Sequence, residues 1–226
     1  MNINDDLKNI LTMITLNKYG VEIGGPSPFN PVYENAKIIN NVVFSNKTIW
    51  NNYTEDYNYY LDKKGKVIIN DTTNIFNILD ETYDFCFSSH CLEHIANPLK
   101  AIKEWLRIIK NGGYIIIVVP EKSKCFDHKR EYSKFEILLQ QYNKNIDETD
   151  LSTLEDIIKN HDLLLDPPAG TFLQFVKRSL NNYENRCLHH YVYNDDLLMN
   201  ICNYFNCNFI YNTTIGIDRW FIMQKK

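Results

Sequence analysis

The segment from Tyr83 to Val119 restricts the fold more than any other part of this chain. Tyr83 to Phe87 is an apolar run of strand length that ends at Ser88, Ser89 and His90. Asn97 followed by Pro98 then marks a helix start, because proline's missing donor falls where no intrahelical partner exists. Leu99, Ile102, Leu106 and Ile109 recur at helical spacing, Trp105 flanks them, and Asn111, Gly112 and Gly113 read as the helix stop. Tyr114 to Val119 follows as a second apolar strand, closed by Pro120. Near-continuous apolar strands joined through a helix lie parallel with both faces covered, since parallel neighbours need a crossover connection. The fold class is therefore α/β.

The remaining chain extends the pattern. Asp5 or Asp6 is placed to cap a first helix with Leu7, Ile10, Leu11 and Ile14 on one face. Tyr19 to Ile23 reads as a strand ending in Gly24, Gly25, Pro26, Ser27 and Pro28. Lys37 to Phe44 reads as a second strand with a turn or bulge at Asn40 and Asn41, and Lys66 to Ile69 as a third ending at Asn70 and Asp71. Between them, Ser45 to Lys64 is polar and aromatic and reads as mostly irregular. Beyond Pro120, helices are expected over Lys134–Tyr142, Leu151–Asn160 and Thr171–Asn181, which makes residues 121–193 a helical cap inserted before the last strands. Asp195 or Asp196 opens a further helix to Phe205, and Cys207–Tyr211 with Arg219–Met223 form a closing antiparallel hairpin. The 226 residues suit one domain spanning 1–226.

Composition narrows the partners. With 24 basic against 28 acidic side chains the net charge is -4, which leaves no cationic surplus for a duplex phosphate backbone. The longest strongly apolar run, Tyr114–Val119, is far short of a membrane span. Met1 to Leu11 has neither the basic start nor the apolar stretch of a signal peptide, and a cytoplasmic location is expected. Cys86, Cys91, Cys125, Cys187, Cys202 and Cys207 form no CxxC pair and read as reduced thiols rather than a zinc-thiolate site.

In an open parallel sheet, ligands bind beyond the carboxyl ends of the strands. Glu22, Gly24 and Gly25 stand at the first such end, Asn40 and Asn41 at the second, Asp71 at the third, and Ser88, Ser89 and His90 at the fourth. Glycine admits close backbone approach and an acid accepts from hydroxyl or amine groups, so this set suits a nucleoside-like cofactor.

Val21–Ser27, Tyr83–Ile95, Asn97–Pro98 and Glu104–Gly113 together resemble the class I S-adenosylmethionine-dependent methyltransferases of the small-molecule branch. The resemblance implies a Rossmann-like, doubly wound, mostly parallel seven-stranded sheet with an antiparallel last strand, and S-adenosylmethionine as cofactor. Carried over by position, Glu22, Gly24 and Gly25 line the methionine moiety, Asp71 and Thr72 meet the adenine, and Ser89 and His90 sit near the sulfonium. Asn40 stands where relatives usually place an acid for the ribose, and Pro26 and Pro28 replace glycines. Glu93 and His94 order the turn.

The expected reaction is methyl transfer to oxygen or nitrogen of a small polar acceptor such as a sugar. Hydroxyl acceptors benefit from a base. Candidates are His90, His94 and, in the segment after the fifth strand, His128, with the last preferred. His161 with Asp162 and the Glu184–His190 segment offer further histidine–acid groupings that suit a divalent ion, but no short ligand motif appears and no metal site is expected. A nicotinamide-dependent oxidoreductase lacks its GxGxxG here. A binding or scaffold protein that has lost catalysis is the other alternative.

Overall fold

The computed structural model describes residues 3–27, 31–48 and 65–226. Most of the expected irregular stretch Ser45–Lys64, and Pro28, lie outside them. Helix α1 (Asp5–Thr15) is capped by Asn4, whose side chain accepts from the Leu7 amide at 2.8 Å; Asp5 and Asp6 instead occupy the first turn, where negative charge suits the helix dipole. β1 (Tyr19–Ile23), α2 (Pro31–Asn35), β2 (Ile38–Val43) and β3 (Val67–Ile69) follow. β4 (Tyr83–Ser89) passes through a 3-10 turn, Leu92–His94, into α3 (Pro98–Ile108), which Asn97 caps as expected.

Two expectations about these elements are corrected. α3 ends at Ile108, not at the glycines, because Ile109 is already extended and opens β5 (Ile109–Pro120). Gly112 and Gly113 lie inside that strand, where Gly112 turns the chain at φ +74° and a side chain at Gly113 would press on the carbonyls of Asp84 and Lys110. β2, for its part, runs unbroken through Asn40 and Asn41, in register from Tyr19↔Ile38 to Ile23↔Val42. The Asn40 side chain is held sideways, donating to the Tyr83 hydroxyl at 2.8 Å and accepting from the Lys66 amide at 2.9 Å. The carboxyl end of β2 is therefore Val43 and Phe44.

The strands of the described residues form one seven-stranded sheet in the order β3-β2-β1-β4-β5-β7-β6, with β6 (Asn208–Ile215) and β7 (Asp218–Gln224) joined by a tight turn. β1 to β5 pair in parallel, and β7 runs antiparallel to both β5 and β6. One face packs Leu7, Leu11, Val32 and Tyr33 against Phe85, Phe87, Ile116 and Trp220. The other packs Leu99, Ile102 and Trp105 of α3 and Leu197 and Ile201 of α8 (Asp195–Tyr204) against Val21, Cys86, Ile115 and Ile117. Burial on both faces explains the near-continuous apolar strands. All six cysteines are free, and among the described residues no helix is long and apolar enough to cross a membrane.

The segment between β5 and α8 holds α4 (Phe135–Asn143), α5 (Leu154–Asn160), α6 (Phe172–Leu180) and α7 (Asn182–Asn185). It has a small core of its own around Ile157, Ala169, Phe175 and Leu188. Polar contacts tie this segment together and join it to the turn after β4. The buried Arg130 guanidinium reaches Asp127 at 2.9 Å, Asp156 at 2.8 Å and the carbonyls of His189 and His190 at 2.7 and 3.2 Å, while the His190 amide donates to the Glu93 carbonyl at 2.7 Å. Replacing Arg130 by leucine strands a buried carboxylate and two carbonyls, so Arg130→Leu should cost about 3–5 kcal/mol in urea unfolding. A loss below about 1 kcal/mol would show that the cap is held by its apolar core instead.

Candidate cofactor and active site

Strand register builds the site. Ile23 pairs with Val42 on one side and Ser88 on the other, Val43 pairs with Ile69, and Ser89 pairs with Val118. The residues that follow these ends, Gly24, Phe44, Asn70 and His90, therefore stand along one edge of the sheet. A cavity of about 360 Å³ opens there, within the range of small-molecule sites. Gly24, Gly25, Asp71, Thr72, Ser89, His90 and His94 all line it, as anticipated from the sequence.

The glycine turn is sterically required. Gly24 has φ +80° and a Cβ there would collide with the Cys91 side chain; a Cβ on Gly25 would run into the Glu22 carboxylate. Glu22 itself does not line the cavity. It is fully buried beneath the turn, accepting from the Ser27 amide at 3.2 Å and from the Tyr33 hydroxyl. Burial outweighs these hydrogen bonds and pushes its carboxyl up to about 7. Its role is to support the glycine backbone that faces the ligand.

Opposite the glycines, Asp71 accepts from the Thr73 amide and hydroxyl through Oδ1, at 2.8 and 2.7 Å, and directs Oδ2 toward the cavity, with the Arg186 guanidinium 3.5 Å away. Thr72 accepts from the Trp105 indole at 2.7 Å, tying this loop to α3. Phe44 stands at the end of β2, where the resemblance calls for an acid, and Arg186 lies over its ring at 5.2 Å. Arg186 also reaches Glu148 at 3.4 Å, so two cap residues close one side of the cavity.

His90 adopts left-handed backbone, φ +49°, which turns its ring across the edge of the sheet. Its Nε2 lies 2.7 Å from Asp218 at the start of β7, and its Nδ1 3.8 Å from Glu93. Burial would push this imidazole down, but the Asp218 hydrogen bond and the Glu93 charge prevail and leave it raised. Burial holds His94 well below the ordinary histidine value, so it stays neutral, and its ring meets His189 edge-on with centroids 4.5 Å apart.

Besides Glu22, two further anticipated residues lie outside the cavity lining. Asn40 is consumed between Tyr83 and Lys66 and does not reach the cavity. His128, preferred as the base, pairs with Asp162 at 2.9 Å in the cap, outside the cavity lining. Phe44, Cys91, Glu148 and Arg186 belong to the lining without having been assigned there. Phe44 was findable by continuing β2 through its asparagines; Glu148 comes from a polar run with no distinguishing pattern.

Residues 45–117 match the family model described as a methyltransferase domain, about a third of the chain. That segment carries Asp71, Ser89 and His90. An uncharacterized protein of Methanocaldococcus jannaschii is 38% identical over 60 residues, a match that spans 25% of this chain and 29% of that protein. A SAM-dependent methyltransferase from Aquifex aeolicus superposes with a TM-score of 0.54 at 12% identity, covering 98% of this chain and 90% of the other. A protein of Rhodobacter sphaeroides described as a putative zinc-dependent alcohol dehydrogenase gives 0.57 at 11%, over 100% and 91%. Such identities speak for fold alone. The family match covers the segment that carries Asp71, Ser89 and His90, and the superpositions show a fold shared with S-adenosylmethionine-dependent methyltransferases. S-adenosylmethionine is the cofactor of that class.

Glu22 yields a test by pH. Between about 4.5 and about 7 the unfolded chain loses this proton while the folded protein keeps it, so stability declines as pH rises through that window. Urea unfolding at about pH 5 and about pH 8 should show Glu22→Gln with a smaller decline than the parent. Equal declines would mean that Glu22 ionises normally in the folded protein.

Proposed function

We propose that this protein transfers the methyl group of S-adenosylmethionine to a hydroxyl or amine of a small polar acceptor, such as a sugar. The observation that carries the reading is the convergence of Gly24, Asp71, Ser89 and His90 on one cavity. The residues fit the cofactor: a tight glycine turn whose bare backbone borders the cavity, and across from it the Asp71 Oδ2, held only loosely by Arg186 at 3.5 Å and able to accept from an amine or hydroxyl. When bound, S-adenosylmethionine supplies an electrophilic methyl group that needs no further activation.

The chain's own part is then alignment, water exclusion and proton removal. Gly24 and Gly25 receive the methionine end, Asp71 and Thr72 the adenine, and Ser89 lies between them on the cavity floor. Phe44 gives the ribose side an aromatic wall in place of an acid. His90 is the general base. Asp218 holds one ring nitrogen, which leaves the lone pair of the other to accept a proton from an acceptor hydroxyl. Arg186, 3.5 Å from Asp71 and 3.4 Å from Glu148, borders the cavity from the cap side, where the acceptor enters.

Calorimetry with S-adenosylhomocysteine should detect binding, and Asp71→Ala should weaken it by about 10- to 100-fold through loss of a charged acceptor. His90→Ala should leave that binding in place while lowering turnover about 100-fold or more, read as labelled methyl transferred to a panel of sugars and amines. Because His90 works as the free base and its proton is held more tightly than usual, the rate should fall on the acid side of a midpoint above 6.5, and Asp218→Asn should move that midpoint down. Absence of heat with S-adenosylhomocysteine would overturn the cofactor assignment. Unimpaired turnover in His90→Ala would overturn the base.

A further inference from the structure

Behind the cofactor cavity, where the cap meets the 3-10 turn after β4, lies a second group of side chains that the reaction above does not use. Glu93 is 1% exposed and His189 is 7% exposed. Neither carboxylate oxygen of Glu93 receives a hydrogen bond from another residue, although both are buried. A buried carboxylate without donors is costly unless a cation or a proton meets it. The His90 imidazole lies 3.8 Å away.

Ligand atoms of Glu93, His94 and His189 all lie within 4.8 Å of one another. Beside them is a void of about 10 Å³, the size of a single small occupant, lined by Glu93, Cys125, Asp127 and His189. Asp127 accepts from His189 Nδ1 at 2.5 Å, and is itself fixed by Arg130 at 2.9 Å. A carboxylate at Nδ1 keeps the imidazole proton on that nitrogen and leaves the Nε2 lone pair for a ligand, the arrangement by which proteins orient a metal-binding histidine. Phe126 packs on the His189 ring at 4.5 Å and excludes solvent.

We infer that Glu93, His94 and His189 bind one divalent transition-metal ion, zinc being the probe of choice, with Asp127 orienting His189. Two imidazoles and one carboxylate match a zinc site that keeps a coordination position open. Zinc bonds of roughly 2.0–2.2 Å bring ligand atoms about 3–4 Å apart, so the present spread closes by side-chain rotation. His94 belongs both to this group and to the wall of the cofactor cavity, so the ion stands beside that cavity. On the methyltransferase reading, the ion holds an acceptor oxygen there; metal binding itself does not depend on that reading.

The test uses the intact protein, stripped with chelator and then titrated with zinc alone, and separately with cobalt, whose visible absorption reports nitrogen and oxygen ligation. The expected result is one equivalent bound, with affinity lowered about 100-fold in Glu93→Gln and in His94→Ala and about 10- to 100-fold in Asp127→Asn. His128→Ala, whose imidazole lies in the cap, should bind as the parent does. If the parent takes up no stoichiometric zinc and shows no cobalt spectrum, or if Glu93→Gln and His94→Ala bind unchanged, the inference is wrong and the void holds water. Calorimetry with S-adenosylhomocysteine on the stripped parent runs beside it, so a failed cofactor assignment is read separately from a failed metal site.

Discussion

Parallel registration of β1, β2, β3 and β4 is the constraint from which the rest follows. Parallel strands carry their carboxyl ends to the same side of the sheet, and here the pairings Ile23↔Val42, Ile23↔Ser88 and Val43↔Ile69 bring those ends nearly level. Residues from distant parts of the chain then share one wall. Slipping β2 by one residue would turn Val42 and its neighbours to the opposite faces and remove Phe44 from the cavity edge. The site is in this sense a property of the backbone ladder, and its chemistry is added afterwards by what each loop carries.

What could be read from the chain divides along physical lines. Elements set by local rules were legible: the Asn97–Pro98 helix start, the Tyr19–Ile23 strand, the Thr171 helix start and the final hairpin all stand close to where the pattern puts them. Gly24, Gly25, Asp71, Thr72, Ser89 and His90 could be placed at the cavity for the same reason, since each stands at or just beyond a strand end in the sequence. Asn40 misled because two adjacent amides look like a strand breaker. A partner on each side, Tyr83 and Lys66, keeps one of them inside a regular strand. His128 misled because its attraction was its neighbours in sequence, whereas the cavity depends on which loops meet in space. No local pattern distinguishes Glu148 or the meeting of His94 with His189, because both depend on how the cap docks.

That docking sets the character of the molecule beyond the sheet. The cap's own core is small; a buried Arg130 with Asp127, His189 and His190 holds it together, and the His190 amide joins it to the Glu93 carbonyl in the turn after β4. Buried ionic groups of this kind give little net stability but penalise any other arrangement, since an unpaired partner would be left in a medium of low polarity. The same turn contributes His90 and His94 to the cavity. Cap position and cavity shape are thereby linked: strand ends build one side of the cavity, and Glu148 and Arg186 of the inserted segment border the other.

The central claim is that three segments far apart in sequence form one cofactor site. Amide hydrogen exchange measured with and without S-adenosylhomocysteine tests it most directly. The account predicts that the ligand slows exchange together in residues 22–27, 70–73 and 88–95 and leaves β6 unchanged. Protection confined to one of those segments, or spread over β6 and β7 instead, would contradict it.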